Sequence, residues 1–144
     1  MAPSVSGKRV PTRTKARKRA LDILFEADLR GLPAVEVLQA HTEQAEPPIR
    51  DFTAELVRGV VANQADIDAL VGAHLPSGWT LDRMPRVDRN LARLAVFEAL
   101  HTDTDQAIAL AECVLLASEL STDESPTLLN GVLAAVLRDA RPAV

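Results

Sequence analysis

Apolar positions along this chain recur every three or four residues, and that period predicts helices. Ala16, Ala20, Leu24 and Ala27 stand at helix spacing with Ile23 beside them, so a first helix is expected from about Thr12. Gly31 and Pro33 stop it, and Pro33 suits the first turn of a short helix through Glu36 to His41. After Pro47 and Pro48, the residues Phe52, Leu56 and Val60 share one face of a third helix. Asn63 is expected to interrupt that run, with Asp66 or a neighbour capping a continuation through Ile67, Leu70 and Val71. Pro76-Ser77-Gly78-Trp79 reads as a loop, and Val87, Leu91, Leu94 and Ala95 mark a helix ending near His101. Ile108 to Leu120 is a strongly apolar helix, and Ser121 to Pro126 a turn. Leu129, Val132, Leu133 and Val136 form the face of a last helix ending near Arg138. No strand-like alternation of useful length and no fixed repeat interrupts this pattern. The fold class expected is all-α, with six or seven helices joined by short loops. Residues 1–11 read as a flexible tail, and residues 12–140 as one helical domain.

Composition narrows this picture. The 144 residues fit one domain, and 47% are hydrophobic but only 3% aromatic, with no Tyr. The core must therefore be built from Leu, Val, Ile and Ala, which suits packed helices. One cysteine, Cys113, can make neither an internal disulfide nor a cysteine metal site, which fits a reducing cytoplasm. No apolar stretch reaches the ~18 residues needed to span a bilayer. The acid-free, Arg/Lys-rich start superficially resembles a transit peptide. It runs straight into an amphipathic helix carrying Asp22, Glu26 and Asp28, however, and so reads as part of the mature protein.

The net charge of −4 hides an asymmetry. Residues 1–21 hold seven basic side chains, Lys8, Arg9, Arg13, Lys15, Arg17, Lys18 and Arg19, and no acid. The other 123 residues carry nine basic and twenty acidic side chains. On a helix Arg13 and Arg17 share one face, Lys15 and Arg19 share another, and Lys18 lies between. Like charges so dense destabilise an isolated helix, and they sit at the end where the macrodipole disfavours cations. That cost points to a polyanionic partner, since arginine forks grip phosphates and basic arms order on RNA. A plain solvated face is the bland alternative. A membrane surface is disfavoured, because residues 1–19 lack bulky apolar anchors.

Elsewhere the residues point away from chemistry. Cys113 sits in an apolar helix with nothing nearby to activate it, so a buried, inert thiol is expected. His41, His74 and His101 are too scattered to suggest a metal site. Glu98 and Glu112 lie in apolar helix stretches and are expected to pair with arginines or edge the core. Trp79 is expected to plug a gap between helices rather than stack on a base. Gly131 would allow close helix approach. No phosphate loop, dinucleotide fingerprint or nucleophile elbow is present, so neither catalysis nor a cofactor is expected.

Three stretches together resemble the NusB family of transcription antitermination factors. They are Arg13-Thr14-Lys15-Ala16-Arg17-Lys18-Arg19 with Ala20 to Phe25, then Trp79 to Arg83 with Val87 to Glu98, then Ala111 to Val114 with Leu128-Leu129-Asn130-Gly131-Val132-Leu133. The resemblance runs in order from about residue 12 to 138. It implies two small helical bundles and binding of a boxA-type single-stranded RNA element in nascent ribosomal RNA. It also implies the ribosomal protein NusE as partner, action on the transcription elongation complex, and no membrane role. By position, Arg13, Lys15 and Arg17 match the family's basic arm, and Phe25 stands at its first-helix aromatic. Asp88 matches an acid that faces the protein partner, and Glu124 and Ser125 fall in a turn that approaches RNA.

Departures from the family pattern are equally specific. Leu128 stands where an aromatic is common. Ala111 replaces a usual Asn, Leu115 an acid and Ser118 a basic residue. The helix from Ile108 to Leu120 is thereby apolar around its circumference, which favours a deeper core over a homodimer surface. Two other readings stay open. One is a helical adaptor that binds only protein. The other is the RNA-binding domain of a ribosomal RNA methyltransferase, which a reading frame continuing past Val144 would favour.

Overall fold

The computed structural model describes residues 10–44 and 48–140. Six α-helices and one 3-10 turn account for the regular structure, and no strand occurs among the described residues. They are α1 (Thr12–Arg30), α2 (Ala34–Gln44), α3 (Asp51–Ala73), the 3-10 turn Leu81–Arg83, α4 (Arg86–His101), α5 (Gln106–Leu120) and α6 (Ser125–Asp139). The all-α expectation holds, with six α-helices, the seventh having depended on a break in the third. The residue expected to break the third helix explains the difference. Asn63 donates its side-chain amide to the Gly59 carbonyl one turn back at 2.8 Å, and α3 runs on through it.

Local chemistry sets the helix ends. Gly31 adopts φ 65°, the left-handed conformation open to glycine, and Leu32 N–H then reaches back to the Ala27 carbonyl at 3.0 Å. Asp105 caps α5 by accepting from Ala107 N–H at 2.7 Å. Pro126 lies in the first turn of α6, where its missing N–H costs nothing.

Helices α1–α3 form one half and α4–α6 the other, and one main apolar core runs through both, with a small second cluster at Ala99, Ala109 and Leu137. Helix α4 lies at the centre and packs on α1, α3, α5 and α6. Leu91, Ala92, Val96 and Phe97 carry its burial. At the α3–α4 crossing a Cβ on Gly59 would fall inside the Phe97 ring. Close approach therefore belongs to Gly59, because Gly131, expected in that role, has open space where a Cβ would lie.

Helix α5 departs from its expected deep burial. Ala109, Cys113, Leu116 and Ala117 face the core. Ile108 is 52% exposed and Leu115 43% exposed, with Ala111 and Ser118 open on the same side. Helix α5 packs chiefly on α4 and α6 and leaves its outer face in solvent.

Candidate nucleic-acid interface

Helix α1 presents its basic residues in two directions, and burial sorts them. Ala16, Ala20 and Leu24 face the core, and Arg17 lies beside their line, two turns before Leu24. Arg17 is only 6% exposed. Its guanidinium fork spans Glu98, with Nε to Oε1 at 2.8 Å and Nη2 to Oε2 at 2.5 Å. Its Nη1 donates to Glu112 Oε1 at 2.8 Å, and the Thr14 hydroxyl donates to that same oxygen at 2.5 Å. Burial alone would lower the Arg17 pKa. The hydrogen bonds and charges of Glu98 and Glu112 outweigh it and hold the pKa above its ordinary value. Arg17 is thus corrected from an RNA contact to a buried fold residue, each of whose three nitrogens donates to a carboxylate. Glu98 and Glu112 pair with an arginine, as the sequence suggested.

The remaining described cations of the arm stay on the surface. Arg13 is exposed and lies over the Phe52 ring at 4.1 Å, a cation–π contact. Lys15 is exposed, and among the described residues it has no carboxylate partner. Lys18 stands 3.6 Å from Asp22 across one turn, an exposed pair of little strength. Arg19 Nη2 reaches His41 Nδ1 at 3.3 Å, and His41 Nε2 contacts Glu26 Oε1 at 2.8 Å. That His41 contact and an Arg30 hydrogen bond hold the Glu26 carboxyl below the usual range. Lys8 and Arg9 lie outside the described residues.

Lys15, Lys18 and Arg19 form one wall of an open groove of about 220 Å³. Pro48, Ile49 and Arg50, just ahead of α3, form the other wall. Sequence reasoning missed Arg50, a lone charge after a proline pair with no pattern to mark it. Phe25 is half-buried on the same face of α1 as Lys18, seven residues and about 10 Å further along.

The other expected site residues lie elsewhere. Asp88 is 1% exposed and accepts hydrogen bonds from Ser121 at 2.5 Å and Ser125 at 2.7 Å. Its assignment to the protein partner is corrected: the carboxylate pins the α5–α6 turn onto α4. Ser125 is likewise buried and spent on Asp88, so it is corrected as an RNA contact, whereas Glu124 beside it is exposed. Glu124 belongs to a separate cleft of about 880 Å³ between the 76–85 loop and α6, with Leu128 and Val132 on its floor. Trp79 lines this cleft at 41% exposure, so it does not plug a helix gap as expected. The groove and the cleft share no lining residue. No cluster of His, Cys, Asp and Glu suited to a metal ion occurs among the described residues. Burial pushes the Cys113 thiol far up, which leaves it inert.

The sequence matches the NusB family over residues 14–138. It is 55% identical over 126 residues to a transcription antitermination protein NusB of Cutibacterium acnes, covering 88% of this chain and 48% of that one. The chain thus spans about half the length of that relative. It is 53% identical to a protein of the same name from Acidothermus cellulolyticus, covering 88% of both chains. The fold is similar to that of T. maritima NusB, with a TM-score of 0.80 at 26% identity, over 94% of this chain and 96% of that one. It is also similar to a chain in a crystal structure of antitermination factors NusB and NusE in complex with dsRNA. There the TM-score is 0.76 at 26% identity, over 88% of this chain and 96% of that one.

Proposed function

The chain belongs to the NusB family, and from that premise we propose that it is a transcription antitermination factor that grips single-stranded boxA-type RNA of ribosomal RNA leaders together with NusE. The carrying observation is the sorting of charge on α1. Arg17 is neutralised inside the protein by Glu98 and Glu112, while Arg13, Lys15 and Lys18 are exposed and Arg19 half-buried along the same helix. Such cations bind phosphates without reading sequence, and base preference must come from neighbouring groups. Phe25 on α1, as a stacking ring, and Glu124 in the separate α6 cleft, as a hydrogen-bond acceptor, are the proposed base contacts. Lys8 and Arg9 would extend the phosphate grip.

NusE fits as partner because the rest of the chain is acidic and can meet a basic ribosomal protein. Joint binding of RNA and NusE would raise the affinity for each. The proposed setting is the transcription elongation complex in the cytoplasm. No helix among the described residues is long and apolar enough to cross a membrane. The names of the two relatives describe a role in transcription and no reaction.

One observation favours a second reading, a homodimer. Ile108, Ala111 and Leu115 form an exposed apolar line on α5. It runs beside Glu112, which Thr14 and Arg17 of the arm contact, so a second copy seated there would lie next to the arm. Light scattering that stays monomeric across a concentration series would rule this out.

Binding to boxA and scrambled RNA, followed across salt with NusE present, tests the main reading. The triple variant Arg13→Ala/Lys15→Ala/Arg19→Ala should flatten the log–log salt slope by roughly 2, at ~0.7 per contact. Equal binding by wild type and variant would favour the adaptor that contacts only protein.

A further inference from the structure

We infer that the N-terminal end of α3 supplies the second wall of a phosphate-binding groove, with Arg50 gripping the same nucleic-acid backbone as Lys15. The inference rests on the RNA reading and adds to it a residue outside the basic arm. Four cations line the groove, three from α1 and one from the start of α3, against the single carboxylate of Asp22. Asp22 lies nearest Lys18, at 3.6 Å, which leaves Lys15, Arg19 and Arg50 without an acid partner among the described residues, Arg19 reaching His41 instead. Cations facing one another across an open groove repel, and a bound phosphate relieves that repulsion.

The walls belong to one rigid body. The Thr53 hydroxyl, buried in the first turn of α3, donates to the Ala16 carbonyl of α1 at 3.0 Å. One residue earlier, Phe52 carries Arg13 on its ring. These contacts fix the start of α3 against α1, so the groove exists before a ligand arrives and little ordering cost falls on binding. The groove is open, and its far wall carries the apolar Pro48 and Ile49 beside Arg50. An open groove with cations along both sides suits a chain that passes through, a phosphodiester backbone, better than an enclosed small anion.

The test uses the full chain and a short labelled oligouridylate, with affinity measured across salt. Arg50→Ala should flatten the log–log slope by ~0.7, the value for one single-strand phosphate contact. Arg50→Lys should retain most of the slope. Arg58→Ala, an exposed α3 cation outside the groove, should leave it unchanged. Unchanged circular dichroism and melting would keep a folding effect apart from a contact effect. A wild-type slope in Arg50→Ala, with a flattened slope in Lys15→Ala, would overturn the Arg50 assignment and leave the RNA reading standing. If wild type and Lys15→Ala both lacked salt-dependent binding, the RNA reading would fall and this inference with it. Displacement of the oligouridylate by inorganic phosphate at matched concentration would reassign the groove to small anions, also against the proposal.

Discussion

Residues four apart on α1 carry the same charge and do opposite work. Arg13 and Arg17 look equivalent in the sequence, yet Arg17 lies two turns before Leu24 and turns inward, while Arg13 precedes the core and stays outside. The spacing that reveals this was on the chain. It was hidden because a run of basic residues reads more readily as one surface than as a surface with one member removed. The two roles predict separable phenotypes. Arg17→Ala leaves the buried Glu98 and the half-buried Glu112 without their cation and should cost about 3–5 kcal/mol in urea unfolding, as breaking buried ion pairs does. Lys15→Ala should change unfolding by less than ~0.5 kcal/mol while weakening RNA binding. A stable Arg17→Ala protein with weakened RNA affinity would return Arg17 to the binding surface. Asp88 makes the same point from the acidic side. Its position on α4 was legible, but only the fold brings Ser121 and Ser125 within reach of it.

Among the helices, existence and order were readable from periodicity, and environment was less so. Asn63 shows why α3 is one element: an amide that can disturb a helix instead bonds one turn back. Two glycines inside helices predict opposite outcomes. Gly131→Ala adds a methyl group to open space and should stabilise by ~0.5–1 kcal/mol, because alanine loses less backbone entropy in a helix. Gly59→Ala drives its methyl group into Phe97 and should destabilise by about 1–3 kcal/mol despite the better propensity. Thermal melts of the pair check both signs. The C-terminal ends of α3 and α6 are tied by His74, whose Nδ1 lies 2.7 Å from the Leu70 carbonyl and whose Nε2 lies 2.6 Å from Asp139. The Leu70 hydrogen bond and then Asp139 raise the His74 pKa above its ordinary value. The stabilisation is therefore complete below the unfolded-state pKa of ~6.5 and is lost as pH rises through the higher folded value. Stability of wild type and His74→Gln should differ most at mildly acid pH and converge in alkaline buffer.

On the scale of the whole molecule, charge is divided more sharply than composition alone conveys. The basic residues crowd onto the start of α1, and between Arg93 and Arg138 no Lys or Arg occurs at all. The polarity of the chain, and hence the end proposed to face RNA, could be read directly. The shape of the site could not, since the groove wall at Arg50 and the cleft around Trp79 are made by packing between segments far apart in sequence. The α5 face shows the same limit. Its departures from the family at Ala111, Leu115 and Ser118 were visible, but only the packing reveals that they point outward together. The most direct test is amide chemical-shift mapping by NMR while boxA RNA is added in the presence of NusE. The account predicts RNA-dependent shifts concentrated at residues 12–19 and 48–53, with Arg17 changing little at its buried side chain. Shifts confined to the α6 cleft, or absent from the α1 arm, would contradict it.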